Sequence, residues 1–334
     1  DEAERALRDA EAAIHAAMPL EQREVLLSEA AAIGVTLTLN RSEPTRTIEL
    51  ARQALAHLPA DQLRLRGSLM LHLGVAYDWT GQLAESEACF IEATRLSEAA
   101  GDLQTTLLAI SNHAAAEKMQ GRYRQAAALY RRGLALDEQH RSARAPAAVY
   151  LYTDLAEVLY EWNDFDGAAA HVQEAIDRSE RTHLTRALVV GLRLLARLRL
   201  GQGDRDAAAE VIERAVKLAR EQQIPAHYAS PAIAQQVKVW LATGQLSAAA
   251  GWARASGLTG DDELNKTRED EYLALVHVWL ALNEPDRALD LLERLRRSAQ
   301  ARGRTESVWW VLRLQALAPA ACGDWQTALA TLAQ

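Results

Sequence analysis

Leu155-Ala156-Glu157-Val158-Leu159-Tyr160-Glu161-Trp162-Asn163-Asp164-Phe165-Asp166-Gly167-Ala168 reads as an apolar helix that runs into a tight Asn-Asp turn, followed by an aromatic residue and a small Ala. The rest of the chain repeats that order. The turn recurs at Gly81-Gln82-Leu83, Gly121-Arg122-Tyr123, Gly203-Asp204-Arg205, Gly244-Gln245-Leu246, Asn283-Glu284-Pro285 and Gly323-Asp324-Trp325, with a degenerate first copy at Ser42-Glu43-Pro44. From position 42 the spacings are 39, 40, 42, 40, 41, 39 and 40 residues. A fixed period in this range predicts a solenoid of stacked units.

The second copy shows why the units must stack. Leu73, Gly74 and Tyr77 precede Gly81, and Leu83, Phe90 and Ala93 follow it. Gly74 lets two helices approach closely, Tyr77 and Phe90 can fill the space between them, and Gly81 supplies the backbone freedom that a chain reversal needs. Each hairpin is apolar on more than one side, so it buries that surface only against its neighbours.

The order Leu-Gly, Tyr, Gly, aromatic or Leu, small residue, aromatic and Ala resembles the tetratricopeptide repeat, with a period of about 40 in place of 34 residues. Longer helices or wider connections would absorb the difference. Two stretches, Ala156 to Asp164 and Asp261-Asp262-Glu263-Leu264 through Arg268 to Leu275, narrow the resemblance. They are similar to the helical-repeat region of MalT-like, large ATP-binding LuxR-type bacterial transcription regulators. That resemblance implies an all-α, right-handed superhelical solenoid acting as a sensor segment. It places ATP binding in an N-terminal domain and DNA binding in a C-terminal helix-turn-helix domain, so no cofactor is expected in this segment. The sequence contains no Gly-x-x-x-x-Gly-Lys-Ser/Thr phosphate loop, and Gly201-Gln202-Gly203 lacks a third Gly and a preceding strand.

The chain has 334 residues, 49% hydrophobic and 25% charged, with only two Phe, which suits a large, folded, all-α core. No run of eighteen uncharged apolar residues occurs; Leu188 to Leu200 is interrupted by Arg193, Arg197 and Arg199. Asp1-Glu2-Ala3-Glu4-Arg5 does not open a signal peptide, and a cytoplasmic location is expected. Cys89 and Cys322 fall in distant repeats and are expected to be buried, reduced thiols. The triplet Asn265-Lys266-Thr267 reads as accidental.

Residues 1–334 read as one domain: a lone helix over 1–17, then eight helix pairs. These pairs are 22–40 with 45–57, 64–80 with 83–99, 103–120 with 123–140, 145–162 with 165–181, 185–202 with 205–222, 230–243 with 246–256, 266–282 with 286–302, and 305–322 with 325–334. Missing polar caps at both ends suggest a piece of a longer protein. Ile224-Pro225 and Ser230-Pro231 should bracket a long connection, and Pro319 should kink or shorten the last first-position helix. The irregular loop Ser256 to Asp262 reads as a simple connection or as an edge that meets another domain.

In tetratricopeptide repeats the first helix of each pair lines the concave face, and the turns set the register. The positions six before each turn are Thr36, Val75, Ala115, Glu157, Arg197, Lys238, His277 and Leu317. Those ten before are Ala32, Leu71, Ser111, Thr153, Arg193, Ala234, Leu273 and Arg313. The early members are bland and the middle ones polar. Tyr150, Thr153, Glu157 and Tyr160 share one helical face. The candidate ligand site is therefore Tyr150, Thr153, Glu157, Tyr160, Arg193, Arg197, Lys238 and His277, where rings could stack on a polyhydroxylated or nucleotide-like ligand and charges could hydrogen-bond around it. The alternative is a solvated face of mutually paired charges. Tyr152 and Trp162 are expected in the core. Trp240 and Trp279, which share the register of Tyr77, are expected to pack, and one of Trp309 and Trp310 should face away from the core.

No His-Glu-x-x-His or paired-Cys spacing points to a metal, and no Gly-x-Ser-x-Gly points to a nucleophile. No catalysis is expected. The formal charge is −8, with Arg alternating with Glu and Asp, so this region should not itself bind DNA. The expected partners are a small-molecule inducer or regulatory protein and other domains of the same chain, with DNA reached only through the C-terminal domain and no membrane contact. The second function considered is a scaffold that binds a peptide or a protein C-terminus, since Arg193, Arg197 and Lys238 resemble a basic carboxylate clamp. The Asn companions of such a clamp are missing.

Overall fold

The computed structural model describes residues 20–140, 146–264 and 266–321, with single positions 9, 326, 329 and 330 besides. The expected helices over 1–17 and 325–334 lie almost wholly outside the described residues, as do Asn265, Cys322 and the turn at Gly323. What is described is all-α, without a strand.

The helices come in pairs. They are α1 (Leu20–Asn40) with α2 (Pro44–His57), α3 (Leu63–Thr80) with α4 (Leu83–Ala99), α5 (Leu103–Met119) with α6 (Tyr123–Gln139), and α7 (Ala148–Glu161) with α8 (Phe165–Arg181). Next come α9 (Thr185–Gly201) with α10 (Arg205–Glu221), α11 (Ala226–Ala242) with α12 (Leu246–Ala255), α13 (Glu269–Ala281) with α14 (Pro285–Ala301), and finally α15 (Thr305–Ala321).

The periodic turns are made as the spacing predicts. Ser42, Gly81, Gly121, Asn163, Gly203, Gly244 and Asn283 all have left-handed φ, between 61° and 84°. At Asn163 the amide of that residue bonds Tyr160 O at 3.0 Å and the next amide, Asp164, bonds Leu159 O at 2.9 Å, which satisfies carbonyls that the ending helix leaves open. Asp164 then starts the following helix, its carboxylate accepting from Gly167 N at 3.0 Å, and Asp204 does the same for α10 through Ala207 N at 3.2 Å. The Asp in the repeated turn is thus an N-cap.

Three helix boundaries differ from expectation. Helix α11 begins at Ala226, with Pro231 inside it, so the long connection is absent. Pro225, at ψ 146°, already fixes the extended residue before the first turn, and the helix carries Pro231 one turn further in, where neighbouring helices hold the backbone. Residues 266–268 form a 3-10 turn ahead of α13. Helix α15 is not shortened at Pro319 but continues to Ala321.

By packing, the chain divides into two compact units, residues 1–117 with 124–151 and residues 118–123 with 152–334. In the first unit Val35, Ala51, Leu69, Leu73, Tyr77 and Cys89 form one core cluster, and Leu71, Phe90, Ala93, Ala109 and Ala116 another. A Cβ on Gly74 would stand 2.7 Å from Phe90 Cε1. The close approach of α3 and α4 therefore depends on that glycine, and Ser86 Oγ seals it by donating to Gly74 O at 2.9 Å. Cys89 is a buried free thiol, and burial pushes its pKa up to about 11.

The second unit has its main core at Tyr272, Leu275, Trp279, Leu291, Leu292, Leu295 and Val311, and a smaller cluster around Val237, Ala249 and Val278. Trp279 is buried and Trp240 packs against the smaller cluster. The loop from Ser256 to Asp262 is pinned: Leu258 enters the main core, and Asp262 accepts from Thr259 Oγ1 at 2.6 Å and Tyr272 Oη at 3.2 Å. Trp162 is not in the core but 43% exposed, because it follows the last residue of α7, where the chain leaves the packed face. Tyr152 is only part-buried; its ring carries the Arg178 guanidinium at 4.7 Å.

Candidate functional site

The second unit encloses a cavity of about 750 Å³. Glu157 and Tyr160 of α7, Arg193 and Arg197 of α9, Lys238 of α11 and His277 of α13 all line it. So do the register partners Ala234, Leu273, Arg313 and Leu317. Residues four apart on a helix share a face, and successive first helices bring these faces to one hollow. Thr153 is buried and Tyr150 part-buried, and neither lines the cavity.

Glu157 is the hub of one wall. Lys118 Nζ donates to its Oε2, Arg193 Nη2 donates to its Oε1 at 3.0 Å, and Arg197 Nη1 stands 3.7 Å from the same oxygen. Burial alone would raise the Glu157 pKa, but the three cations outweigh it and hold the carboxyl well below its usual range. Arg197 also pairs with Glu161, and its guanidinium lies 4.2 Å from the Tyr160 ring centroid and 5.4 Å from that of Trp310. Tyr160 is braced edge-on by Phe165 at 5.3 Å.

Elsewhere in the lining Arg304 pairs with Glu269, and Glu306 Oε1 accepts from Tyr123 Oη at 2.8 Å. Burial, and then the nearby Glu306 charge, push the Tyr123 hydroxyl above its ordinary value. The Tyr123 ring stacks on Trp309 at 6.3 Å and 11°. Gly121 lies where a Cβ would meet the Trp309 ring at 3.0 Å, so the periodic turn also admits this contact. Trp309 is nevertheless 48% exposed, while Trp310 turns to the cavity.

The opposite wall is different. Among the described residues no carboxylate lies within ion-pair distance of Lys238 or Arg313; Arg313 rests on the Trp310 ring at 4.6 Å. Burial pushes Lys238 below its usual value, against the pull of Asp270, and Arg197, Arg193 and Arg313 push it further the same way. Asp270 keeps surface open to the cavity, yet the enclosing walls raise its pKa despite Lys238. His277 is held neutral, at about 4, by burial and then by Lys238 and Arg313. Gln235 is 5% exposed, lines the cavity and has no hydrogen-bond partner among the described residues.

Several of these residues escaped the sequence reading. Lys118 and Leu200, like the expected Tyr160, occupy the position three before their turns, the third row of the same helical face, which the six-and-ten register leaves out. Glu306 and Trp310 enter from α15 with no periodic signal. In the first unit, Glu87, His113 and Glu117 bring potential ligand atoms within 4.8 Å of one another. No motif search finds them because Glu87 comes from the preceding helix, and each is already engaged by protein groups.

Residues 28–334 match the family described as the MalT-like TPR region. The HTH-type transcriptional regulator MalT of Vibrio campbellii is 22% identical over 271 residues, which is 81% of this chain and 30% of that protein. That of Yersinia pestis is 23% identical over 277 residues, 83% of this chain and again 30% of the relative. The chain thus spans about 30% of the length of the curated relatives it matches. Among solved structures, a Rap protein complexed with Competence and Sporulation Factor has a TM-score of 0.74 at 11% identity, covering 99% of this chain and 90% of that one. NprR in complex with its cognate peptide NprX has a TM-score of 0.59 at 12% identity, covering 92% and 89%. At such identities the likeness establishes the fold, a tetratricopeptide-like helical solenoid.

Proposed function

The chain belongs to the MalT-like TPR region family, and from that premise we propose that it is the effector-sensing and protein-interaction segment of a bacterial LuxR-type transcription regulator, with the cavity of the second unit as its effector site. In this role it is not an enzyme. ATP and DNA are contacted by other domains of the regulator, which works in the cytoplasm. Among the described residues no helix is long and apolar enough to cross a membrane.

The observation that carries this reading is the convergence of Glu157, Arg193, Arg197, Lys238, His277 and Arg313 on one cavity. The effector is an anionic or polyhydroxylated inducer or a segment of a regulatory protein. A peptide is within that class, since NprR, of similar fold, was solved with its cognate peptide. Binding shifts the regulator only if the effector prefers one state; moving an equilibrium from 1:99 to 99:1 takes a preference of about 10⁴-fold.

Thermal-shift screening of defined oligosaccharides, nucleotides, dicarboxylates and short peptides tests the site. Leu317, 52% exposed on the cavity rim, tolerates a larger side chain, so Leu317→Trp should fold and should lose or weaken the shift given by a true effector. An effector that stabilises wild type and Leu317→Trp equally does not bind in this cavity.

A further inference from the structure

Three polar residues of the first unit stand where the repeat elsewhere places apolar ones. Glu87 lies six after the turn residue Gly81, a place held by Ala127, Ala169, Ala209 and Ala250 in four other repeats and by Ile48 and Leu289 in two more. His113 lies eight before Gly121, where Leu73, Leu155, Leu195 and Leu275 stand before their own turns. Glu117 lies four before Gly121, in the register of Tyr77, Leu159, Trp240 and Trp279. Leu73, Tyr77, Leu155, Leu275 and Trp279 are core residues. The three departures meet at one point: one donor atom from each of Glu87, His113 and Glu117 lies within 4.8 Å of the other two.

The donor set is one imidazole and two carboxylates. His113 and Glu117 are one helical turn apart on α5, which sets their side chains next to each other. His113 Nε2 stands 3.7 Å from Glu117 Oε1. That is too far for a hydrogen bond and close to the separation of about 3.3 to 3.6 Å between two ligands of one tetrahedral zinc. Glu87 comes from α4, whose Phe90 and Ala93 share a core cluster with Ala109 and Ala116 of α5, so packing fixes the third ligand against the other two. Glu117 is 6% exposed, whereas Glu87 and His113 are part-buried and leave a way in for an ion. Protein groups engage all three, and an ion has to compete with those contacts. Two carboxylates beside a neutral imidazole carry two negative charges, which a divalent cation cancels. The imidazole nitrogen favours zinc over magnesium or calcium, which prefer oxygen ligands throughout.

We infer that Glu87, His113 and Glu117 form a binding site for a divalent transition-metal ion, zinc by the fit of its ligands, which clips α4 to α5 across the junction of two successive repeats. Three protein ligands leave the fourth position to water. Each repeat of a solenoid is held by its neighbours, so a clip across one junction stabilises the first unit when the ion is bound. The site shares no residue with the cavity of the second unit, and it stands or falls apart from the effector reading.

The test uses the untagged 334-residue chain, stripped with a chelator and dialysed, with zinc, cobalt(II) and magnesium chlorides as probes. Calorimetric titration should find one zinc per chain, and zinc should raise the melting temperature. Cobalt(II) should give the strong visible absorption of a four-coordinate site and lose it when zinc is added; magnesium in roughly hundredfold excess should displace neither. Glu87→Ala and His113→Leu each install the residue that other repeats carry at that place, so both should fold, and each should weaken zinc binding about tenfold or more. No zinc uptake by wild type, wild-type affinity in either variant, or magnesium binding as tightly as zinc overturns the site. So does a change in melting of the variants when no form takes up zinc, which would leave the three side chains as an ion-pair cluster only.

Discussion

Glu157 Oε1 accepts a 3.0 Å hydrogen bond from Arg193 Nη2, across the interface between two successive repeats. Lys118 and Arg197 converge on the same carboxylate, so one acid neutralises three cations drawn from the repeats on either side of its own. Replacing Glu157 with Ala strands those cations in a part-buried site. Such a loss typically costs about 3 to 5 kcal/mol, and a fall in urea midpoint with unchanged slope is expected. A midpoint within error of wild type would show the network to be ornamental.

Arg197 and Arg313 should part company in stability. Arg197 pairs with two glutamates and covers two aromatic rings, so Arg197→Ala should lower the melting temperature. Arg313 is exposed and has no carboxylate partner among the described residues, and Arg313→Ala should leave melting nearly unchanged. The Glu161 pair and the two rings are the source of that cost. Comparable melting curves for the two variants would count against this division.

Gly74→Ala should destabilise the first unit. The new methyl would meet Phe90 ring carbons at 2.7 and 2.8 Å and Cys89 Cβ at 3.2 Å, and overpacking of this kind costs about 1 to 3 kcal/mol. Phe90→Leu in the same chain should recover part of the loss. If Gly74→Ala melts like wild type, the helix pair is looser than its packing indicates.

Acid should weaken the protein through its buried histidines. Burial lowers His72 to about 4, and His227 and His277 likewise stand near 4. Below an unfolded value of about 6.5 the unfolded chain binds protons that the folded chain refuses, so stability falls as pH drops from about 6.5 to about 4. Glu157, held below its usual value, adds a further loss below about 4.5. His72→Leu should make the upper part of the slope shallower by one proton, read from urea midpoints across that range. An unchanged slope would show that His72 titrates normally.

Much of this was legible because it is periodic. A turn every 40 residues requires the same left-handed backbone each time, and Gly or Asn marks most of the sites. Ser42 shows that the geometry persists where the residue is less suited to it. Once the turns were placed, helical register alone found Glu157, Arg193, Arg197, Lys238 and His277. Trp162 was misjudged because hydrophobicity says nothing about where a helix stops. Glu161 was missed because it is the last residue of its helix, off the chosen rows, and Glu306 because its place beside Tyr123 depends on how the eight helices between them add up.

The Tyr123 and Trp309 stack has a consequence for how the second unit comes apart. In an open row of repeats each end is held by a single neighbour, so end repeats fray first and melting spreads inward. Here the segment 118–123 and α15 grip each other at Gly121, Tyr123, Glu306 and Trp309, so α15 is held by this contact as well as by its packing on α14. Amide protons of α15 should therefore exchange with solvent together with those of α9 and α11, as one cooperative block, until that grip is cut.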